Sequence, residues 1–516
     1  MLAARTIGIS LMVVAPLLVG TARWAHAQNA PSNQELLDKM KAMEERIQTL
    51  ERQLEQRNAP PPSPAPVAAP TPPGPAAPAG APAAPGAPAA PGTAPAMAQT
   101  PPSGSTAPSK DIFGVLPSPI QGLKLGAYGE VKFGSQQNPD HNGQWQSGFD
   151  MARFVLLPTF QFTDSIIFNS EIEFEHAGSG FDDDDKLHGT AEVEQLWVDF
   201  KISPYFNVRS PGIDLVPVGY INQHHEPTLF YSVNRPELAN RLVPTTWAVP
   251  SASVYGKIVD DLSYQFQVST SLEDFGSGFD ARTEGNSPPP FPTGYAPGIS
   301  GTDGLIFARP PRGDFAQLSN TLAYAFRLGY TPPFIPGLAG STSFYFTPNT
   351  TPRDAYSDTG LPLHHSSLTM VDSELRYRLP GTGFEARGEF VEVFFGSPRD
   401  LRANNDGDPE NNVGNRMYGL SAEVAYHIPI GTFLGSAWEA VPFYRYTYED
   451  LQTSGYKGSD VNAPTGAGKL QFHTLGVAVF PTPQLVLKLT YEKVLDRQSG
   501  GAKSDSILGG LGFYLY

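Results

Sequence analysis

From about residue 120 to the end, the chain alternates between apolar and polar side chains. In FNSEIEFEHAG, residues 168–178, Phe168, Ser170, Ile172 and Phe174 fall on one face, and Asn169, Glu171, Glu173 and Glu175 on the other. LVLKLTYEK (485–493) sets Leu485, Leu487, Leu489 and Tyr491 against Val486, Lys488, Thr490 and Glu492. LTMVDSELRYRLP (368–380) opposes Thr369, Val371, Leu375 and Tyr377 to Asp372, Glu374, Arg376 and Arg378. A period of two is the mark of a strand, because successive side chains leave opposite faces of the pleat.

Sixteen such runs are expected, near 122–133, 149–161, 165–177, 189–200, 205–219, 249–259, 262–275, 314–328, 339–348, 367–379, 384–395, 414–428, 434–449, 469–479, 485–495 and 506–516. Their connections alternate too. Most of one set are terse (FTDS, KISPY, VDD, PGTG, PIGTF, PTPQ). The other set is long and rich in Gly, Asn, Asp, Ser and Pro, as in SQQNPDHNGQWQSG (135–148), SPRDLRANNDGDPENN (397–412) and the proline-rich stretch near 285–311, and is expected outside the cell. Short turns at one end and long loops at the other predict an all-β fold over 111–516, a 16-stranded antiparallel transmembrane β-barrel.

Two other textures precede it. Over 28–58, Leu36, Met40, Met43, Ile47, Leu50 and Leu54 recur at intervals of four and three, the a and d positions of a left-handed coiled coil. Ser32 and Glu35 have the spacing of a capping box at its start. Residues 59–110 hold 18 prolines in 52 positions and read as a Pro/Ala-rich spacer. Residues 1–27 carry Arg5, an apolar run from Ile7 to Val19 and Ala25-His26-Ala27, the three parts of a secretory signal peptide.

The chain has no cysteine, which excludes disulfides and thiolate chemistry. With Arg5 and Arg23 removed, 33 basic residues stand against 51 acidic ones, a net charge of −18, so nucleic acid is not an expected partner. No stretch after residue 27 reaches the 18 or so apolar residues of a helical span. If the chain crosses a bilayer, it does so with strands.

A sheet in hydrocarbon tolerates no free edge. The last strand, ending LGGLGFYLY (508–516), must therefore pair with GLKLGAYGEVKF (122–133). Tyr514 and Tyr516 are expected on its lipid face, Tyr516 in the periplasmic aromatic girdle, with Gly510 and Gly512 weakening that row. Charged residues belong on the inner face, where a sixteen-stranded wall leaves an aqueous lumen. Glu171, Glu173, Glu175, Arg376, Arg378 and Arg445 are the pore-wall candidates. The connection at 220–248, YINQHHEPTLFYSVNRPELANRLVPTTWA, mixes apolar anchors with charge and is expected to fold inward and narrow the lumen. His224, His225, Glu226, Arg235, Glu237 and Arg241 are the constriction candidates.

Several motifs carry no function on this reading. FDDDDKLHG (181–189) lacks the alternating ligands and Gly turn of a calcium loop, NNDGDPENN (404–412) comes nearer to cation-loop chemistry but is read as a loop, and PTGAGK (464–469) is one residue short of a phosphate-binding loop. Adjacent His224 and His225 have no secure metal geometry. No serine, histidine and acid form a nucleophile setting. No catalytic residue, cofactor or metal is therefore expected, and the protein is not expected to be an enzyme.

The strand GLKLGAYGEVKF, the segment VPVGYINQHHEPTLFYSVNRPEL and the final GFYLY resemble Gram-negative outer-membrane porins, most closely the phosphate-selective porin O/P family, over about 120–516. The resemblance implies a barrel that is usually a homotrimer, with its third extracellular loop folded inward. That family lines its channel with arginines and a lysine cluster, whereas the inner row here is mixed, so the architecture is carried over and phosphate is not. The expected function is passive diffusion of small polar solutes or ions across the outer membrane, with the N-terminal segment in the periplasm. The alternative is a structural tether, in which 28–58 contacts the cell wall and the barrel serves as anchor.

Overall fold

The first strand lies between the second and the last, and this closes the sheet. The computed structural model describes residues 122–138, 143–176, 189–273, 298–306, 308–309, 322–351, 365–404, 413–453, 468–496 and 504–515. The expected signal peptide, coiled coil and spacer lie outside the described residues, as do 181–188, 405–412 and 464–467 of the acidic and glycine-rich motifs.

The strands are β1 (Leu123–Asn138), β2 (Gln144–Thr163), β3 (Ile166–Glu175), β4 (Thr190–Lys201), β5 (Asn207–Leu215) and β6 (Ala248–Val259). Then come β7 (Leu262–Thr270), β8 (Leu322–Tyr330), β9 (Leu338–Thr347), β10 (Leu368–Arg378), β11 (Phe384–Phe395) and β12 (Arg416–Tyr426). The set ends with β13 (Ile428–Phe433), β14 (Ser436–Thr453), β15 (Lys469–Thr482), β16 (Leu485–Asp496) and β17 (Ser506–Leu515). Both β12 and β13 pair with β14, so they are two halves of one stave interrupted at His427. The wall thus has sixteen staves, all antiparallel, and β1 joins β17 with Tyr128 opposite Tyr514.

The two rows of each strand meet different surroundings. On β8, Leu322, Tyr324, Phe326 and Tyr330 are exposed, while Ala323 and Ala325 between them are buried inside. On β16, Leu487 and Leu489 are exposed and Lys488 and Thr490 are buried. An outward row of large apolar side chains is what a hydrocarbon solvent selects, and ring closure leaves no backbone edge unpaired in it.

Three expectations are corrected. PIGTF (429–433) is not a turn: Ile428–Phe433 pairs with Ser436–Ala440, and the chain reverses at Leu434 and Gly435, both at positive φ (49° and 81°). That two-residue geometry matches strand twist. Tyr514 faces the lumen, not lipid: its ring lies 6.5 Å from that of Tyr128, and Ile507, Leu511 and Leu515 form the exposed row of β17. Tyr516 is outside the described residues. The lumen is also not simply aqueous. Val216, Val218, Leu238, Leu242, Val243 and Trp247 of the β5–β6 connection pack on Tyr345, Leu368, Met370, Val391 and Val393 of the inner wall.

Candidate functional site

The connection between β5 and β6 begins at Val216, earlier than expected, and its neck is held by one side chain. Buried Asn222 donates to the Val216 and Val218 carbonyls (2.8 and 3.0 Å) and accepts from the Trp247 backbone N–H (2.7 Å). Because Asn supplies two donors and an acceptor, it ties both ends of the connection together. Short helical turns at Tyr220–Gln223 and Leu238–Arg241 flank an irregular middle.

One fastening of this segment is to β1–β3. His225 is buried; its Nδ1 lies 3.1 Å from the Asn222 carbonyl and its Nε2 2.9 Å from the Tyr128 hydroxyl. Tyr128 donates to Glu171, which lies 3.5 Å from the imidazole and also accepts from Gln195. Arg153 donates to the His225 carbonyl and pairs with Glu130 at 3.0 Å. Burial pulls the imidazole down, but the hydrogen bond and charge of Glu171 hold His225 above its ordinary value. Its neighbour behaves oppositely: burial and the charge of Arg327 push His224 down to about 4. Burial raises Glu226.

The second fastening is to the far side of the ring. Glu237 accepts from Arg445 through both oxygens (2.9 and 2.8 Å), from Thr447 (2.6 Å) and from Thr474 (2.9 Å). Arg445 also pairs with Glu423 at 3.0 Å and donates to Ser232. Burial opposes the charge of Glu237, yet Arg445 and these donors bring it down to about 2. Between the two fastenings, Tyr231 donates to Glu385 (3.1 Å), Arg387 donates to the Leu229 carbonyl (3.0 Å) and Lys488 donates to the Ser232 carbonyl (2.9 Å). The middle of the segment lies on β17 at its two inward-facing glycines. A Cβ on Gly512 would stand 2.5 Å from Pro227, and one on Gly510 3.2 Å from Val233. The glycines read as flaws in a lipid row are clearance on the inner row.

The candidates therefore separate. His225 and Glu237 are buried in ion pairs with the wall, and Glu171, Glu173 and Arg445 are buried beside them. Arg376 pairs with Glu385 (3.1 Å) and Arg378 with Glu439 (3.9 Å). Arg235, Arg241 and Glu175 line a cavity of 520 Å³ together with Asp150, Glu192, Arg309 and others. Of its lining, Asp150, Glu175 and Glu192 come from β2–β4 and Arg235, Arg241 and Arg309 from connections, while Lys132 and Arg153 stand on the wall and Glu237 on the connection. Arg241 also reaches Glu449 at 3.8 Å.

A second cavity, of 680 Å³, is lined by Lys201, Lys257 and Arg327 with Tyr255, Tyr264 and Gln265, and by no carboxylate among the described residues. Sequence reasoning missed Tyr128, Arg153 and Asn222, whose parts depend on which strands meet. It also read the proline-rich stretch before residue 312 as an exterior loop. Ile299 and Leu305 are instead buried in the cluster with Trp247, and the Leu305 N–H donates to the Arg241 carbonyl (2.7 Å).

No family model matches the chain. An uncharacterized protein of Aquifex aeolicus is 26% identical over 374 residues, 72% of this chain and 75% of that protein. Among solved structures, the anion-selective porin from Comamonas acidovorans is similar at 12% identity and a TM-score of 0.43, over 76% of this chain and 99% of that one. Salmonella typhi OmpF in complex with daunomycin gives 9% and 0.46, over 76% and 97%. The outer membrane channel DcaP of Acinetobacter baumannii gives 10% and 0.45, over 76% and 97%.

Proposed function

We propose that the protein is a passive diffusion channel of the outer membrane, passing small hydrophilic solutes or ions, with residues 220–248 as its constriction. One observation carries this reading. Inside a closed wall, a single connection is fastened at His225 to β1–β3 and at Glu237 to β14 and β15, beside a cavity bearing both signs of charge. A segment held this way narrows the passage without hinges, and low-dielectric walls focus the field of whatever charge it presents.

Arg235, Arg241 and Arg309 against Asp150, Glu175 and Glu192 give the passage a transverse field that orients dipolar solutes. Glu171, Glu237 and Arg445 shape the passage rather than select within it, because their charges are already balanced by neighbours. Export by residues 1–27, a periplasmic coiled coil at 28–58, a spacer at 59–110 and assembly as a homotrimer complete the proposal. Native mass measurement in detergent tests the last of these.

Single-channel recording in planar bilayers tests the function. Stepwise ohmic conductance is expected, and purified protein that leaves the bilayer at baseline overturns the reading. The double variant Arg235→Ala, Arg241→Ala is expected to lower the anion-to-cation permeability ratio. An unchanged ratio removes both arginines from the filter.

A further inference from the structure

We infer that Asp372, Glu374 and Glu389, on the inner face of β10 and β11, form a binding site for a divalent cation of the calcium type. One carboxylate oxygen from each lies within 4.8 Å of the other two. That separation is about twice a calcium–oxygen distance of ~2.4 Å, so a single ion between them reaches all three.

The second observation is Asp372 itself. It has no exposed surface, and neither of its carboxylate oxygens accepts a hydrogen bond. Glu389 Oε1 is likewise buried without a donor. The donors next to the cluster serve Glu374 instead: Arg327 reaches its two oxygens at 3.4 and 3.3 Å, and Ser341 donates to it at 3.1 Å. With all three ionised, the carboxylates outnumber the one guanidinium bonded to them, that of Arg327. Burying an unpaired carboxylate costs several kcal/mol unless something neutralises it.

A hard dication matches the charge, the all-oxygen donor set and the spacing together. Magnesium is the poorer fit, since it keeps several waters and demands near-ideal octahedral geometry. Asp372 follows Met370 on the same inner row, and Met370 belongs to the apolar cluster that receives Leu238 and Leu242. The ion would therefore stiffen the wall beside the seat of the inward connection. The site is independent of the channel proposed above.

The test uses full-length protein expressed in calcium-supplemented medium, purified in detergent and washed with a chelator before elemental analysis. Ions held by exposed loops leave with the chelator at once, whereas one closed in on the buried Asp372 side is expected to exchange slowly and stay. About one retained Ca²⁺ per chain is expected in the wild type, and none in Asp372→Asn or Glu389→Gln. The second variant stands in if the first does not form the barrel. Retention of equal calcium by the wild type and a folded variant overturns the site. A wild type that retains none overturns it as well, that being the result if protons alone neutralise the carboxylates.

Discussion

The two ionic knots that hold the inward connection look alike and are built from different chemistry. At one, the wall supplies a guanidinium, Arg445, and the connection supplies the carboxylate of Glu237. At the other, the wall supplies the carboxylate of Glu171 and the connection supplies an imidazole. Arginine cannot lose its proton in any physiological setting, whereas histidine does so near neutrality. One knot is permanent and the other conditional, so the segment between them has a fixed end and an adjustable one.

The strongest way to break this contrast is at the permanent end. Arg445→Ala leaves Glu237 buried without its bidentate partner and is expected to cost about 3–5 kcal/mol. Heat-dependent mobility in detergent gels reads that loss as a lower unfolding temperature. An unchanged temperature would mean that the threonines alone hold Glu237.

A smaller effect is expected between the knots. Gly512→Ala places a methyl group against Pro227 and is expected to cost about 1–3 kcal/mol, with the strain relieved by lifting the connection. Protease cleavage within 220–248 should then rise. Gly148→Ala, where a Cβ meets nothing within 4 Å, is the control and should leave cleavage unchanged.

The smallest effect separates the knots by pH. His225 has a raised value when seated, so its contribution is complete below the ordinary imidazole value of ~6.5 and fades as pH climbs through the seated value. Glu237, held at about 2, works the other way: its contribution is complete above the ordinary carboxylate range and is lost as pH falls towards 2. The groups facing His225 are Glu171, Glu194 and Glu226 on the acidic side and Arg153 on the basic side. In the wild type, open-channel current noise is expected to rise as pH climbs through the seated value of His225 (an alkaline limb) and as it falls towards 2 (an acid limb). His225→Gln is expected to cost about 0.5–1.5 kcal/mol at pH 6 and to abolish the first alone. A variant that keeps the alkaline limb assigns it to another group.

The wall was legible in the sequence because its two rows face such unlike solvents. Phe168, Ile172 and Phe174 can be sorted from Glu171, Glu173 and Glu175 by polarity alone. The inward connection was legible too, since a loop carrying Leu229, Phe230, Tyr231 and Trp247 gains nothing by standing in water. What polarity does not encode is who meets whom. Tyr514 was assigned to lipid because a tyrosine suits either face of a barrel. Gly510 and Gly512 gave no row a preference until Pro227 and Val233 lay against them. Arg445 passed for a pore-lining charge because its partner is 208 residues away in the chain. Asp372 passed for an ordinary inward carboxylate, and only its three-dimensional neighbours set it apart.

The paired glycines of β17 also bear on how the molecule matures. Were the terminal strand to zip onto β1 displaced by two residues, Leu508 or Tyr514 would stand where a glycine is needed, and the inner segment would find its berth obstructed. Correct docking thus reports correct closure. A misaligned ring would keep its inner segment unberthed and open to quality-control proteases.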